Sequence, residues 1–179
     1  MNIKKAWYRA FQMGMNIGAK ALYWRKPIPI TGVGSAGEIP RLLEESGVHR
    51  VMVVTGRHVG KSLAPGIIEN IKSRGIECVH FSQVEANPST TTVFAIRDMY
   101  RAEGCDGFLA IGGGSPMDAA KAAAALIVRP NKPITKMAGL FTVLKKIPPF
   151  IAVPTTAGTG SETTIAAVIT EAETHHKYA

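Results

Sequence analysis

A chain of 179 residues with 46% apolar and 19% charged side chains can bury one sizeable core and is too apolar to stay disordered. Its formal charge of +8 is concentrated: of 21 basic residues, Lys4, Lys5, Arg9, Lys20, Arg25 and Lys26 lie in the first 26 positions with no acid, leaving fifteen against thirteen acids. That near-balance excludes a nucleic-acid footprint spread over the domain, and no apolar run has transmembrane length or the form of a secretory signal.

Residues 1–27 read as a basic N-terminal arm. A helix there would place Ile3, Trp7, Ala10, Phe11 and Met15 on one side. Such a helix suits contact with an anionic membrane surface through residues 1–26, and equally packing on its own domain or on a partner subunit of a homo-oligomer. Cys78 and Cys105 are too few for a disulfide framework and lack metal-ligand spacing, so a reducing, cytoplasmic setting is expected, with both as small buried or half-buried residues.

From Pro27 onward the pattern turns regular. "IPITGVGS" reads as a short strand entering a glycine turn, and Glu38 to Ser46 as a helix closed by Gly47. "VHRVMVVTG" is a buried strand. Leu63 to Arg74 is a helix with Pro65 in its first turn and Gly75 at its end. "IECVHF" is the next strand. "NPSTTTVFAIRDMYRAEG" begins with turn and cap residues, runs as a helix and stops at Gly104. "DGFLAIGGGS" is a strand and its turn, and Ser115 to Val128 the helix that follows. Residues 129–149 read as an irregular connection, "FIAVP" as a buried strand, "TTAGTGSETT" as a loop and "IAAVIT" as a last strand. Short apolar strands alternating with helices indicate an α/β fold, a mostly parallel sheet with helices on both faces. The chain ends at Ala179 soon after that sheet is complete, which is read as a chain covering less than a whole functional unit.

In open α/β sheets ligands sit where strand ends feed helices. "GGGSPMD" is such a place. Ser115 is expected as N-cap, Pro116 at the first helical position and Asp118 closing a capping-box-like pattern. The glycines strip side chains from the turn so that a phosphate can approach backbone N–H groups at a helix start. A plain strand-to-helix turn needs one glycine, not three. Thr155, Thr156, Thr159, Ser161, Thr163 and Thr164 offer hydroxyls beside Gly158 and Gly160 after the next strand, suiting the second wall of one crevice. "GVGSAG" at 32–37 also fits G-x-G-x-x-G, but its apolar lead-in is broken by Pro27 and Pro29, and no acid ends the second strand. The five histidines show no ligand spacing, and neither a nucleophile elbow nor a zinc motif is present.

"IGGGSPMDAAKAAA" with "AVPTTAGTGSE" closely resembles the iron-containing, or group III, alcohol dehydrogenase family, and "ANPSTTTV" and "VMVVTG" are similar to its N-P turn and second strand. The resemblance covers about residues 28–179. It implies a Rossmann-like dinucleotide-binding domain over 28–179, followed in the family by a helical domain with one aspartate and three histidines for a divalent metal, usually iron. It implies hydride transfer between NAD or NADP and a primary alcohol or aldehyde. Carried over by position, Gly113, Gly114 and Ser115 would bind the pyrophosphate, Asn87 would lie near the adenosine half and Asp118 near the nicotinamide. Thr155, Thr156 and Thr159 would line the crevice with Thr164 nearby, and Lys177 would reach the cofactor ribose.

Two departures follow. Where the family often has an aspartate after "VVT", this chain has Gly56, then Arg57 and His58. Loss of a carboxylate removes repulsion toward a 2′-phosphate, so NADP is as well suited as NAD. The family's metal ligands lie beyond Ala179, so the chain alone is expected to be inactive on alcohols. A non-catalytic nucleotide-binding module and a dehydroquinate-synthase-like lyase domain are the alternative readings.

Overall fold

The computed structural model describes residues 5–9, 11–14, 26–139 and 141–179. Residues 5–9 and 11–14 are helical. Trp7 stacks on Phe11 at 5.7 Å, yet Trp7, Tyr8 and Phe11 are each more than half exposed. Among the described residues, then, the aromatic side of the arm does not pack on its own domain. Ile3, Ala10 and Met15, expected on that same side, lie outside the described residues. No helix among those described is long and apolar enough to cross a membrane.

The strand expected over "IPI" does not form. Pro27 and Pro29 have no N–H to give a ladder, and Ile28 is 86% exposed. The chain instead reaches a 3-10 turn, Ser35–Glu38, so "GVGSAG" follows no strand and lacks the context of a phosphate turn.

The helices and strands then alternate: α1 (Ile39–Glu45), β1 (Arg50–Gly56), α2 (Arg57–Ser62), α3 (Ala64–Lys72), β2 (Glu77–Val84), α4 (Thr90–Ala102), β3 (Gly107–Gly112), α5 (Gly114–Val128) and β4 (Phe150–Pro154). Gly47, Gly75 and Gly104 take left-handed backbone just past α1, α3 and α4, ending each helix where the sequence places a stop. Helix α2 has no counterpart in the sequence reading. It starts directly on the end of β1 and seats Gly60 so close to that strand that a Cβ there would lie 2.8 Å from Thr55 Oγ1.

The four strands are parallel, in the order β2-β1-β3-β4. Both faces of the sheet are covered, which is why β1 and β3 are continuous apolar runs. Met52, Val54, Phe108 and Ala110 face α4 and α5, while Val51, Val53, Leu109 and Ile111 face α1 and α3. Five alanines of α5 are buried in the first cluster, and their small side chains let the helix lie close to the sheet. Phe108, fully buried, stacks on Tyr100 of α4 at 4.6 Å. Ser89 caps α4 by accepting from Thr92 N, and Glu85 accepts from Ser89 N at 2.8 Å.

The expected strand over "IAAVIT" shrinks to β5 (Ile169–Thr170), which pairs antiparallel with β6 (Lys177–Tyr178). The carbonyls of Thr164 and Ala166 are taken by the Lys121 ammonium instead of a ladder. Cys78 is half-buried and Cys105 buried, and burial pushes both thiols up to about 11.

The tightest packing test lies at Gly107. A Cβ there would fall 2.7 Å from Val48 Cγ2, so Gly107→Ala should cost about 1–3 kcal/mol in urea unfolding by overpacking. Adding Val48→Ala should recover part of that loss, and strictly additive costs would show that Val48 is not the obstacle.

Candidate functional site

Strand β1 leads through α2 and α3 to β2 on one side, and β3 leads through α5 to β4 on the other. Their carboxyl ends therefore part at a topological switch point, where open α/β sheets bind ligands. The last β1–β3 pair is Thr55↔Ile111, so Gly56 and the turn beginning at Gly112 stand side by side at that point.

Gly112 has φ +146, a backbone closed to side chains, and a Cβ on it would meet Pro116 Cγ at 2.8 Å. Thr155 N donates to Gly112 O at 2.9 Å, extending the β3–β4 ladder into the two loops. A Cβ on Gly113 would lie 2.8 Å from Thr156 Oγ1, and one on Gly114 would lie 3.0 Å from Ser161 Oγ and 3.6 Å from Thr159 Cβ. The glycine turn and the threonine loop lie against each other at these positions.

The cap of α5 differs from expectation. The N-cap is Gly113 and not Ser115, with no side-chain cap bond, and the helix starts at Gly114. Asp118 does not close a capping box. Its Oδ2 accepts from Val168 N at 3.0 Å, and its Oδ1 is buried without a partner among the described residues. The first N–H groups of α5 are thus left uncapped by side chains at the crevice.

Asn87 has φ +56 in the turn before α4, and Lys177 Nζ donates to its Oδ1 at 2.8 Å. The β5–β6 hairpin docks on that turn, with Thr170 N donating to Pro88 O and Ala172 N to Thr90 Oγ1. Asn87 and Lys177 so form a second polar group at the same edge of the sheet. Thr164 binds Lys121 rather than facing the turn, its carbonyl 2.8 Å and its hydroxyl 3.1 Å from Nζ. Arg57 opens α2 beside Gly56, exposed and without an ion pair among the described residues.

Lys121 was not singled out by sequence reasoning, and Ser161 was named there only among the hydroxyls of the threonine loop. The available signal for Lys121 is a single lysine in the otherwise apolar "AAKAAAAL", three residues after Asp118 and hence on the same helix face. Burial lowers the Lys121 pKa, opposed by the charges of Asp118 and Glu162.

Iron does not fit these residues. Among the described residues no group of three or more His, Cys, Asp or Glu side chains is placed to hold a metal ion, so no step is derived through one.

A family model described as iron-containing alcohol dehydrogenase matches residues 28–179. Choline dehydrogenase of Bacillus subtilis (strain 168) is 37% identical over 150 residues, covering 82% of this chain and 37% of that protein. NAD-dependent methanol dehydrogenase of Bacillus methanolicus is 34% identical over 146 residues, covering 81% of this chain and 38% of that one. The crystal structure of sulfoacetaldehyde reductase from Bifidobacterium kashiwanohense in complex with NAD+ superimposes with a TM-score of 0.73 at 34% identity, over 88% of this chain and 42% of that one. The chain thus spans well under half the length of these relatives.

His80 offers a pH test of the edge of the crevice. Its Nε2 lies 2.9 Å from Thr55 Oγ1, and burial lowers its pKa from 6.5. The unfolded chain then binds more protons between the two values, so stability is complete above pH 6.5 and falls as pH drops toward the lowered folded value. Urea midpoints at stepped pH should show that loss, and His80→Gln should flatten it. An unchanged slope in the variant would assign the acid sensitivity elsewhere.

Proposed function

The chain belongs to the iron-containing alcohol dehydrogenase family, and on that premise we propose that it is the dinucleotide-binding part of an NAD(P)-dependent alcohol dehydrogenase or aldehyde reductase. The observation that carries this is the Gly112–Gly114 turn at the switch point, bare of side chains and lying against Thr156, Thr159 and Ser161. In this reading the backbone N–H groups of Gly113, Gly114 and Ser115 receive the pyrophosphate at the start of α5. Thr155, Thr156 and Thr159 supply hydroxyls to the wall opposite. Asp118 lies one helical turn further in, toward the nicotinamide. Asn87 and Lys177 hold the ribose side from the hairpin, and their mutual hydrogen bond pre-sets the lysine's reach.

The overall reaction moves a hydride from the carbinol carbon of an alcohol to the nicotinamide and releases one proton, giving aldehyde and reduced cofactor. The reverse direction reduces the aldehyde. For this step the chain's own residues bind the cofactor and fix its orientation. The three relatives are named for choline, methanol and sulfoacetaldehyde, yet each matches this same segment at 34–37% identity. That spread supports assigning cofactor binding, and not substrate choice, to these residues. A lyase or a purely non-catalytic module is not favoured by any particular feature of the site.

At the adenosine end Gly56 presents no carboxylate and Arg57 stands exposed beside it. This supports acceptance of the 2′-phosphate of NADP alongside NAD. Fluorescence titration with NADH and NADPH in parallel is the test, and saturable binding of both is expected. Arg57→Ala should weaken NADPH by about tenfold, the size of one charge-assisted hydrogen-bonded contact, and leave NADH within about twofold. Binding of neither ligand by a chain with a folded circular dichroism spectrum would overturn the dinucleotide reading. Equal losses for both ligands in the variant would overturn the role of Arg57. Gly113→Ala, which drives a methyl into Thr156, should weaken both.

A further inference from the structure

Lys121 sits on α5, about two turns beyond the glycine turn, and its side chain crosses to the loop between β4 and β5. Its Nζ donates to the carbonyl oxygens of Ser161, Thr164 and Ala166 and to Thr164 Oγ1, the last three at 2.8, 3.1 and 3.1 Å. An ammonium has three protons. Four acceptors around it occupy all of them, so none is left for a phosphate or a ribose. Lys121 therefore acts on the crevice through the loop and not on the ligand.

The loop segment it grips is the one that forms the wall. Ser161 is buried, and its Oγ lies against the position a Gly114 side chain would take. Three residues earlier on the same face of α5, Asp118 accepts from Val168 N, the next backbone group along the same loop. One acid and one base on a single helix face thus hold the N–H and C=O groups of 161–168 from one side. The gripped carbonyls have turned away from any strand partner, and the segment has no ladder until Ile169. Ala166 O also accepts from Thr164 Oγ1 at 3.3 Å, but among the described residues the ammonium alone joins all three carbonyls to α5.

We propose that Lys121 is a positioning residue whose ammonium clasps the 161–166 backbone, holding Ser161 and Thr159 against the glycine turn and so keeping the dinucleotide crevice closed to its working width. The functional half of this inference rests on the dinucleotide reading above. The structural half does not.

Two readouts keep the two apart. The first is hydrogen exchange of backbone amides in the ligand-free chain. Lys121→Ala should speed exchange at 161–168 by about tenfold or more while amides of β3 stay protected, since local opening does not require the sheet to melt. The second is NADH titration, in which the variant should bind about tenfold more weakly, as the loss of a charge-assisted contact would give. The deletion leaves a gap the size of n-propylammonium. That ion at millimolar concentration should restore both slow exchange and affinity in Lys121→Ala, and the neutral isostere n-propanol should restore neither. Lys121→Met keeps the apolar stem without the charge. It should open the same segment, and it serves where the alanine variant does not fold.

Unchanged exchange at 161–168 in both variants would overturn the clasp. So would equal rescue by propanol, which would make the residue a filler of space. So would loss of protection throughout the sheet in both variants, which would make it a general support of the fold. Fast exchange at 161–168 with parental NADH affinity would overturn its link to the crevice. If the parent chain binds no NADH, the dinucleotide reading fails, and the exchange experiment still decides the clasp.

Discussion

Everything at the carboxyl edge of this sheet depends on two loops approaching more closely than side chains allow. The β3–β4 ladder runs from Phe108↔Phe150 to Gly112↔Pro154, and the Thr155 N–H bond to Gly112 carries it one step beyond the strands. At that register Gly113 meets Thr156 and Gly114 meets Ser161, so a methyl at Gly113 would displace the Thr156 hydroxyl and one at Gly114 would press tightly on the Ser161 hydroxyl. A slip of one residue would break more than the crevice. It would turn Phe108 from Tyr100 toward the opposite face, because alternate residues of a strand point to opposite sides. Core and crevice are thus set by one register, and the stacking of Phe108 helps place Gly113.

That dependence explains which parts were legible in the sequence. Strands buried on both sides must be apolar throughout, so β1 and β3 stand out as short runs, whereas β4, expected to be buried, is apolar but only half-buried at the edge of the sheet. Helix ends at Gly47, Gly75 and Gly104 follow from local backbone preference alone. The misreadings share a different cause. "IPI" is apolar but cannot donate at Pro27 and Pro29. "RHVGKS" carries too little apolar pattern to announce α2, which forms because Gly60 can sit on Thr55. "IAAVIT" has strand composition, yet a lysine forty-odd residues earlier takes the carbonyls of Ala166 within it and of Thr164 just before it. The glycine and threonine walls were legible because close approach leaves a mark on composition. The identity of the cap was not, since Gly113 and Ser115 are both acceptable there and the choice lies in how α5 meets the loop.

Charge in the site follows a related logic. Asp118 and Lys121 look like a surface pair at helical spacing, where each would be worth a few tenths of a kcal/mol. Instead both spend their hydrogen bonds on one loop's backbone. A half-buried ammonium is tolerable only with acceptors around it and opposite charge near by, and Asp118 and Glu162 provide the charge. The α5 helix therefore combines three features within about three turns: an N-terminus uncapped by side chains, an alanine face for the sheet, and two charges for the loop.

A crevice made this way is built mainly from backbone. The groups it would offer an anion are amides, its spacing comes from absent side chains, and its threonine loop is held by carbonyls on an ammonium. Most positions around it then constrain only size, which is compatible with relatives that differ from this chain at about two-thirds of the matched residues while keeping its fold. On the proposed reading cofactor preference would be set at Gly56 and Arg57, at the carboxyl end of β1 beside the glycine turn but outside the contacts that pair the two loops. Change there would leave the β3–β4 register and the Lys121 hydrogen bonds untouched. Preference for one dinucleotide would then be separable from the pairing of the loops, and the departure at Gly56 can coexist with an otherwise intact glycine turn.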